Sequence, residues 1–413
     1  MKILIITELY PDDSPVKTTN AVHDLARFWT DEHEVVCVKE EWLTLSLSKE
    51  KRLRGMKPEI YRKQLASLFG WHDTERDGIA VYRFTNIADP FPHMVYDGIR
   101  NLIGRISAYK INRRLRKLCF QPDVIVAHMP LAETVHYISD LKPDCPRIAV
   151  IHSSDLDRLD ETFYKKELVE KNLKLLSGEF SAVFARSYSI LRRLEEKKPG
   201  NLRQEVICSG VPIESEYRER TWDEWPGRVR ILYAGDLIER KGVHTILRSL
   251  SHLGKDRLFE FVIIGEGRER KQLEEMIRGL SLEKYTEFKG FLPRSEVYRY
   301  MGRSDIFVMP SRHETLGLVY LEAMSNGCIT IGAENEGIDG IIRHGVNGFL
   351  VEAFNENALT ELFEKIWNME KEEICRISSH ARKTAEQYTQ KNMGKRYLDL
   401  IENVACNRGS GAP

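Results

Sequence analysis

Two carboxylates eight positions apart, Glu314 and Glu322, stand in the segment MPSRHETLGLVYLEAMSNG (309–327). Ile306–Met309 is a short apolar run that reads as a buried strand. Pro310-Ser311 breaks it, and a helical pattern starts at Leu316 and continues through Leu318, Leu321, Glu322 and Met324. Glu314 then lies just before the helix and Glu322 about two turns into it, so both border one cleft. The backbone N–H groups of Thr315, Leu316, Gly317 and Leu318 open this helix without intrahelical partners. Such an end attracts anions, and Gly317 lets a bulky one reach the backbone. Carboxylates accept from hydroxyls and amides donate to phosphate, so one segment offers partners for a sugar, a ribose and a diphosphate. Taken alone, a pair of glutamates like this is more often a cap and an exposed helix carboxylate. The neighbouring motifs decide between the two.

Upstream, YAGDLIERKGVHTIL (233–247) places Arg240-Lys241-Gly242 between a strand end and a helix start. Adjacent cations there suit a diphosphate, since Lys brings a point charge and Arg a bidentate fork; a lone pair of this kind is also an ordinary solvated turn. IIGEGRERKQLEEM (263–276) has G-x-G after a strand but lacks the third glycine of a dinucleotide fingerprint. His152 follows the strand-like Arg147–Ile151 and opens His152-Ser-Ser-Asp155, and His128 closes Val124–His128. A single histidine at a strand end is more often structural than reactive.

Positioning these residues takes a particular scaffold. Short apolar runs alternate with helical stretches, the pattern of doubly wound parallel sheets. In the first half the predicted strands are Ile3–Thr7, Glu34–Val38, Ala80–Phe84, Val124–His128, Arg147–His152, Ala182–Ala185 and Glu205–Cys208, with helices such as Ala21–Thr30 and Asn101–Leu118 between them. The rhythm pauses over Gly210–Gly227. It resumes with Val229–Ala234, Glu260–Gly265, Thr286–Lys289, Ile306–Met309, Ile329–Ile331 and Gly348–Val351. The expectation is an α/β chain of two Rossmann-like doubly wound domains facing a cleft. The first covers 1–212, a linker 213–227 follows, and the second covers 228–386. A helix over 387–405 crosses back to the first domain, and 406–413 is a disordered tail. Ligands of such sheets sit beyond the carboxyl ends of the strands.

Composition narrows the class. A chain of 413 residues is too long for one ordinary core. Its formal net charge of zero gives no global field for nucleic acid. No run approaches the ~20 apolar residues of a membrane span. The N-terminal MKILIITELYP reads as a first strand and not as a signal peptide. Seven cysteines without a C-x-x-C fit reduced, mostly buried thiols in the cytoplasm.

Glu314 and Glu322 resemble the E-x(7)-E segment of glycosyltransferase family 4, the retaining enzymes of GT-B architecture. The likeness recurs in order over roughly residues 1–405 and is more specific in the second half. It implies a metal-independent, retaining hexosyl transfer from a UDP- or GDP-sugar to a sugar or lipid-linked acceptor, in polysaccharide or glycolipid assembly. No cofactor is implied. Glu322 would hold the ribose hydroxyls; Arg240, Lys241 and the amides of Thr315, Leu316, Gly317 and Leu318 would hold the diphosphate. The backbone near Phe291 and Leu292, in KGFLPRSEVYRYM (289–301), would meet the base. Glu314 and His152 would grip the sugar from opposite domains, with His128 and Asp155 on the same rim, while His313 fills its loop. Two departures stand out. Asp236 follows the first glycine where many relatives carry Arg, and Pro15-Val-Lys-Thr-Thr-Asn20 replaces a frequent Gly-Gly. Lys17, Thr18 or Thr19 then become donors in that loop, or the acceptor shapes it. The alternative reading is a catalytically silent nucleotide-sugar-binding protein of the same fold.

Residues 49–117 carry 16 Lys or Arg against 7 Asp or Glu. Arg100, Arg105, Lys110, Arg113, Arg114, Arg116 and Lys117 alternate with Ile99, Leu102, Ile103 and Ile106 at helical spacing. Such a helix suits an anionic membrane surface, or packs on the core with a solvated basic back. The expected location is cytoplasmic and peripheral on the inner face of the membrane.

Overall fold

The computed structural model describes residues 1–11, 20–44, 70–88, 97–131, 137–200, 202–212, 222–254 and 257–406. Lys17, Thr18 and Thr19 lie outside the described residues, as do 213–221 of the expected linker and the tail from 407. The chain divides into two compact units. One comprises residues 1–186, 190–209 and 391–413; the other comprises 187–189 and 210–390.

The first unit is built on eight strands: β1 (Lys2–Thr7), β2 (Glu34–Thr44), β3 (His72–Arg76), β4 (Ile79–Ala88), β5 (Val124–His128), β6 (Arg147–Ile151), β7 (Ala182–Ala185) and β8 (Arg203–Val206). Their order is β3-β4-β2-β1-β5-β6-β7-β8. Neighbours are parallel except β3 and β4. Strands β5 and β7 are buried at every position, which is why they read as unbroken apolar runs without alternation. Sequence reading missed β3. All five of its residues, HDTER, are exposed, so it has no apolar face to betray it. The signal lies in the turn: Asp77 and Gly78 both take positive φ (48° and 75°), the hairpin geometry Asp-Gly favours. Of the predicted helix over 21–30, only His23–Ala26 is helical.

The last helix, Gln390–Cys406, places Tyr397 among the core aromatics of this unit, 4.9 Å edge-on to Trp29. Trp29 Nε1 donates to the Gly394 carbonyl (2.8 Å). The glycine matters, because a Cβ there would come within 2.8 Å of the Leu25 carbonyl oxygen.

The second unit carries β9 (Val229–Ala234), β10 (Phe259–Ile264), β11 (Thr286–Gly290), β12 (Ile306–Val308), β13 (Ile329–Ala333) and β14 (Phe349–Val351). Their order is β11-β10-β9-β12-β13-β14, all parallel. The winding reverses between β9 and β12, so the loops leaving those two strands flank the crevice where such sheets take ligands. These are the loops that carry Arg240-Lys241 and Glu314. Behind them, the helix Leu318–Ser325 buries Tyr320, Leu321, Ala323 and Met324. Truncating Leu321 to Ala would cost about 2–5 kcal/mol.

Candidate functional site

At the carboxyl end of β9 a short turn, Glu239–Lys241, runs into the helix Val243–Ser251 through Gly242. Gly242 is required twice: its φ is 75°, and a Cβ would lie 2.8 Å from the Pro310 carbonyl oxygen. That approach laces the β9 loop to the β12 loop, and the Arg312 amide donates to the Arg240 carbonyl (2.7 Å). The side chains follow. Lys241 Nζ donates to Glu314 Oε2 in an ion pair with both side chains largely buried. Arg240 Nη1 lies 3.8 Å from the same oxygen and donates to the His313 carbonyl (3.4 Å). His313 adopts φ 54°, which turns that carbonyl toward Arg240. The loop after β13 joins from the far side, where Glu336 Oε2 accepts from the Glu314 amide (2.9 Å).

The helix starts at Leu318, not Leu316, with Gly317 as its cap at φ 75°. Thr315 and Leu316 therefore precede the helix, a correction to the sequence reading. A Cβ on Gly317 would strike the Tyr320 ring at 2.5 Å. The Tyr320 hydroxyl in turn bonds the Met309 carbonyl (2.5 Å) and Ser311 Oγ (3.1 Å), so the helix start is pinned to the end of β12. The first intrahelical-type bond runs from the Tyr320 amide to the Gly317 carbonyl (3.0 Å), which leaves the Leu318 and Val319 amides at the open end.

Glu322 is buried on that helix and ion-paired through Oε1 with Arg294. Burial pushes its carboxyl upward from the usual range, and the Arg294 cation works against that rise. Arg294 was missed, although its position directly after Pro293, at the first turn of Arg294–Arg303, was a local signal. Phe291, just past β11, is 70% exposed, and Leu292 is half-buried.

The G-x-G of Gly265 and Gly267 has a packing cause. A Cβ on Gly265 would lie 1.8 Å from the Gly235 carbonyl oxygen, and one on Gly267 would lie 2.3 Å from that of Leu237. The two glycines let the β10 loop rest on the backbone of the β9 loop. Asp236 is exposed there, its carbonyl accepting from the Tyr233 hydroxyl (2.8 Å).

The carboxyl edge of the first sheet gathers His128, His152 and Arg186 at the ends of β5, β6 and β7. His128 Nδ1 lies 3.3 Å from His152 Nε2. Burial, aided by the Arg186 cation, holds the His152 imidazole down at about 3. Burial, then His152, then Arg186 hold His128 well below the usual range. Asp155 is fully buried, and its carboxylate accepts from the amides of His152 (2.8 Å) and Leu131 (3.0 Å). It fixes the loop that presents His152. Among the described residues no three His, Cys, Asp or Glu side chains converge as a metal cluster. All seven cysteines are unbridged; three are buried and two exposed, so "mostly buried" was too strong.

Two doubly wound sheets, parallel throughout except for the β3–β4 pair, make this a protein of the GT-B glycosyltransferase fold. Anabaena HepE in complex with UDP superposes with a TM-score of 0.68 at 17% identity, covering 98% of this chain and 100% of that one. Sucrose-phosphate synthase from Thermosynechococcus elongatus gives 0.69 at 15% identity over 98% and 99%. Residues 220–384 match the family of glycosyl transferases group 1. An amylovoran biosynthesis glycosyltransferase of Erwinia amylovora is 24% identical over 69% of this chain and 71% of its own. A putative colanic acid biosynthesis glycosyltransferase of Escherichia coli is 23% identical over 73% and 77%. Among the described residues no helix is long and apolar enough to cross a membrane.

Proposed function

We propose that this glycosyltransferase moves a hexose from a nucleoside diphosphate sugar to an acceptor with retention of anomeric configuration and without a metal. The observation that carries the reading is the convergence, at the switch point of the second sheet, of Lys241, Arg240, Glu314 and the open amides of Leu318 and Val319. Lys241 has three donors and gives one to Glu314, so the rest serve the diphosphate. Fixed cations and amides beside a departing diphosphate stabilise the charge that develops on it, the role otherwise given to a metal. Glu322 takes the ribose hydroxyls, and the exposed Phe291 with Leu292 borders the base. Glu314 takes hydroxyls of the donor sugar, and the neutral His152 edge of the first sheet suits sugar hydroxyls as well. Neighbours solved with UDP and with UDP and glucose make uridine the first nucleotide to try. The names of the amylovoran and colanic acid relatives point to polysaccharide assembly.

A panel of UDP- and GDP-sugars, followed for slow hydrolysis by NMR, tests this. The expected result is hydrolysis of one donor, with the α- or β-configuration of the released sugar preserved in the first product formed and no loss on adding EDTA. Tenfold loss on chelation, restored by magnesium, would overturn the metal-free mechanism. Binding without turnover, including with acceptors, would leave a silent binder.

We further propose that the helix Asp97–Lys117 rests on anionic lipid. Leu102, Ile106 and Tyr109 are 59%, 45% and 60% exposed, on successive turns of one stripe, and Arg105, Arg113, Arg116 and Lys117 are exposed beside them. Each cation near such a surface adds about 1 kcal/mol. Arg114 is committed elsewhere, paired with Asp73 and 4.3 Å from the Tyr82 ring centre. Replacing Arg105, Arg113, Arg116 and Lys117 with Gln, and leaving Arg114, should release the protein from phosphatidylserine vesicles while sparing donor hydrolysis. A wild-type protein that ignores such vesicles at low salt would remove this proposal.

A further inference from the structure

Arg294 opens the helix Arg294–Arg303, in the first turn after Pro293. A cation at that end opposes the helix dipole, so the residue does not stand there to stabilise its own helix. What it meets is Glu322. Arg294 Nη2 donates to Glu322 Oε1 and lies 3.5 Å from the Tyr298 hydroxyl, and the guanidinium carbon sits 5.6 Å from the Tyr298 ring centre. Tyr298, one turn further along the same helix, is itself held, its hydroxyl donating to the Pro212 carbonyl (3.4 Å). Arg294, Tyr298, Pro212 and Glu322 all belong to the second unit.

The two ends of the ion pair differ in burial. The Glu322 side chain is 12% exposed and that of Arg294 is 48% exposed. A buried carboxylate without a cation is costly, and it escapes the cost by taking up a proton. Burial pushes the Glu322 carboxyl upward, while Arg294 and the Tyr298 hydroxyl pull it down. The other elements packed on Leu318–Ser325 offer no substitute. The helix Lys371–Gln387 buries Ile374, Ile377, Ser378, Ala381 and Ala385, and β13 reads Ile-Thr-Ile-Gly-Ala and is buried throughout. The remaining titratable residue of Leu318–Ser325 itself, Tyr320, is turned to the end of β12. Among the described residues Arg294 is the one cation paired with Glu322.

Ionisation decides what Glu322 can do for a ribose. As a carboxylate it only accepts and has about four lone-pair sites, so one serves Arg294 and others remain for two hydroxyls. As a carboxylic acid it accepts more weakly and must place a proton of its own. We propose that Arg294 is a positioning residue for the nucleotide: its ion pair keeps the buried Glu322 a carboxylate, and so an acceptor for both ribose hydroxyls, throughout the neutral pH range. Arg294 thus acts through Glu322, and the proposal rests on the assignment of Glu322 to the ribose.

The test compares UDP and GDP with their 2′,3′-dideoxy analogues, which lack both hydroxyls, by calorimetry on the full-length protein from pH 6 to pH 8.5. The ratio of the two affinities isolates the ribose hydroxyls, because the diphosphate titrates alike in both. In the wild type the preference for the hydroxyl-bearing nucleotide should hold steady over that range. Arg294→Gln removes the cation at a half-exposed position, so it should fold, and its Glu322 should stay protonated to higher pH. The preference should therefore drop about tenfold at pH 6, the difference between a charged and a neutral hydrogen bond, and recover as pH rises. Full preference in Arg294→Gln at every pH, or the same loss at every pH, would overturn the proposal. A wild type that binds both forms equally would overturn the ribose role of Glu322, and the proposal with it.

Discussion

The carboxyl edges of the two sheets carry opposite kinds of polar group. The second sheet presents charges: Lys241 and Arg240 against Glu314, and Arg294 against Glu322, each pair joining two loops or helices. The first sheet presents neutral groups, with His152, His128 and Tyr397 in a row beside the buried Arg186. A site that must hold a diphosphate needs charge that is already paired and can be shared, because unpaired buried charge is costly. A site that must hold sugar hydroxyls needs directed neutral donors and acceptors. The two edges therefore predict different responses to mutation and to pH.

The largest effect belongs to the charged edge. If Lys241 serves the departing diphosphate as proposed, Lys241→Ala should lower kcat by about 10²–10³, as loss of one preorganised donor does elsewhere. It also strands the Glu314 carboxylate beside Arg240 alone. Steady-state kinetics with the preferred donor checks this. A variant that loses only affinity, with kcat intact, would mean that Lys241 contacts the ground state and transition state equally.

Glu322→Ala comes next. On the proposed assignment two ribose hydroxyls lose a charged acceptor, each such bond being worth about 1.5–3 kcal/mol. Nucleotide affinity, measured by calorimetry with the free diphosphate, should fall accordingly, whereas Glu314→Ala should leave that affinity close to wild type and harm turnover. Arg294 sharpens the point. In the variant its guanidinium gains no new carboxylate, so Arg294→Ala added to Glu322→Ala should cost less than it does alone. Equal losses of bare-nucleotide affinity in Glu314→Ala and Glu322→Ala would erase the division of labour.

These charged residues were legible because they lie in short local segments: a strand end, a turn and a helix start within about ten residues. Their spacing placed Arg240, Lys241 and Glu314 at strand ends and Glu322 on the following helix, the family resemblance gave them their expected roles, and the sheet order put the β9 and β12 loops at one switch point. What stayed hidden depends on distance along the chain. Arg294 meets Glu322 across 28 positions, Glu336 meets the Glu314 amide across 22, and Tyr397 meets His128 across 269. No periodicity records such pairings. Strand β3 was missed for the opposite reason, since its exposed polar residues carry no burial pattern. The helix start was misplaced by two residues because Leu316 is buried like a helical residue while lying in the loop, where Gly337 packs against its backbone.

The neutral edge predicts a pH effect on stability. His152 titrates at about 3 when folded and at about 6.5 when unfolded. Between those values the unfolded chain binds more protons, so stability falls as pH drops from about 6.5 toward 3. His128, held low for the same reason, adds to the slope. Replacing His152 with Gln removes one titrating group, so the fall in melting temperature between pH 7.5 and pH 5 should be smaller than in the wild type. Identical falls in the two proteins would show an imidazole that stays solvated, and the contrast between the edges would be lost.

The smallest effect is expected at Asp236, where the family resemblance led us to expect an arginine. Its side chain is exposed, and its structural contribution runs through the backbone, where its carbonyl accepts from Tyr233. The cations of the proposed diphosphate site stand four and five residues later as Arg240 and Lys241, already oriented by Glu314 and the His313 carbonyl. An added arginine at position 236 would therefore act as one more solvent-screened charge, worth about 0.2–1 kcal/mol. Asp236→Arg should lower KM for the donor by no more than about fivefold, and most of that gain should vanish in 0.5 M salt, where exposed charges are screened. A salt-resistant gain of a hundredfold would mean that Arg240 does not fill the place of the missing arginine, and that the natural enzyme works with its diphosphate site incomplete.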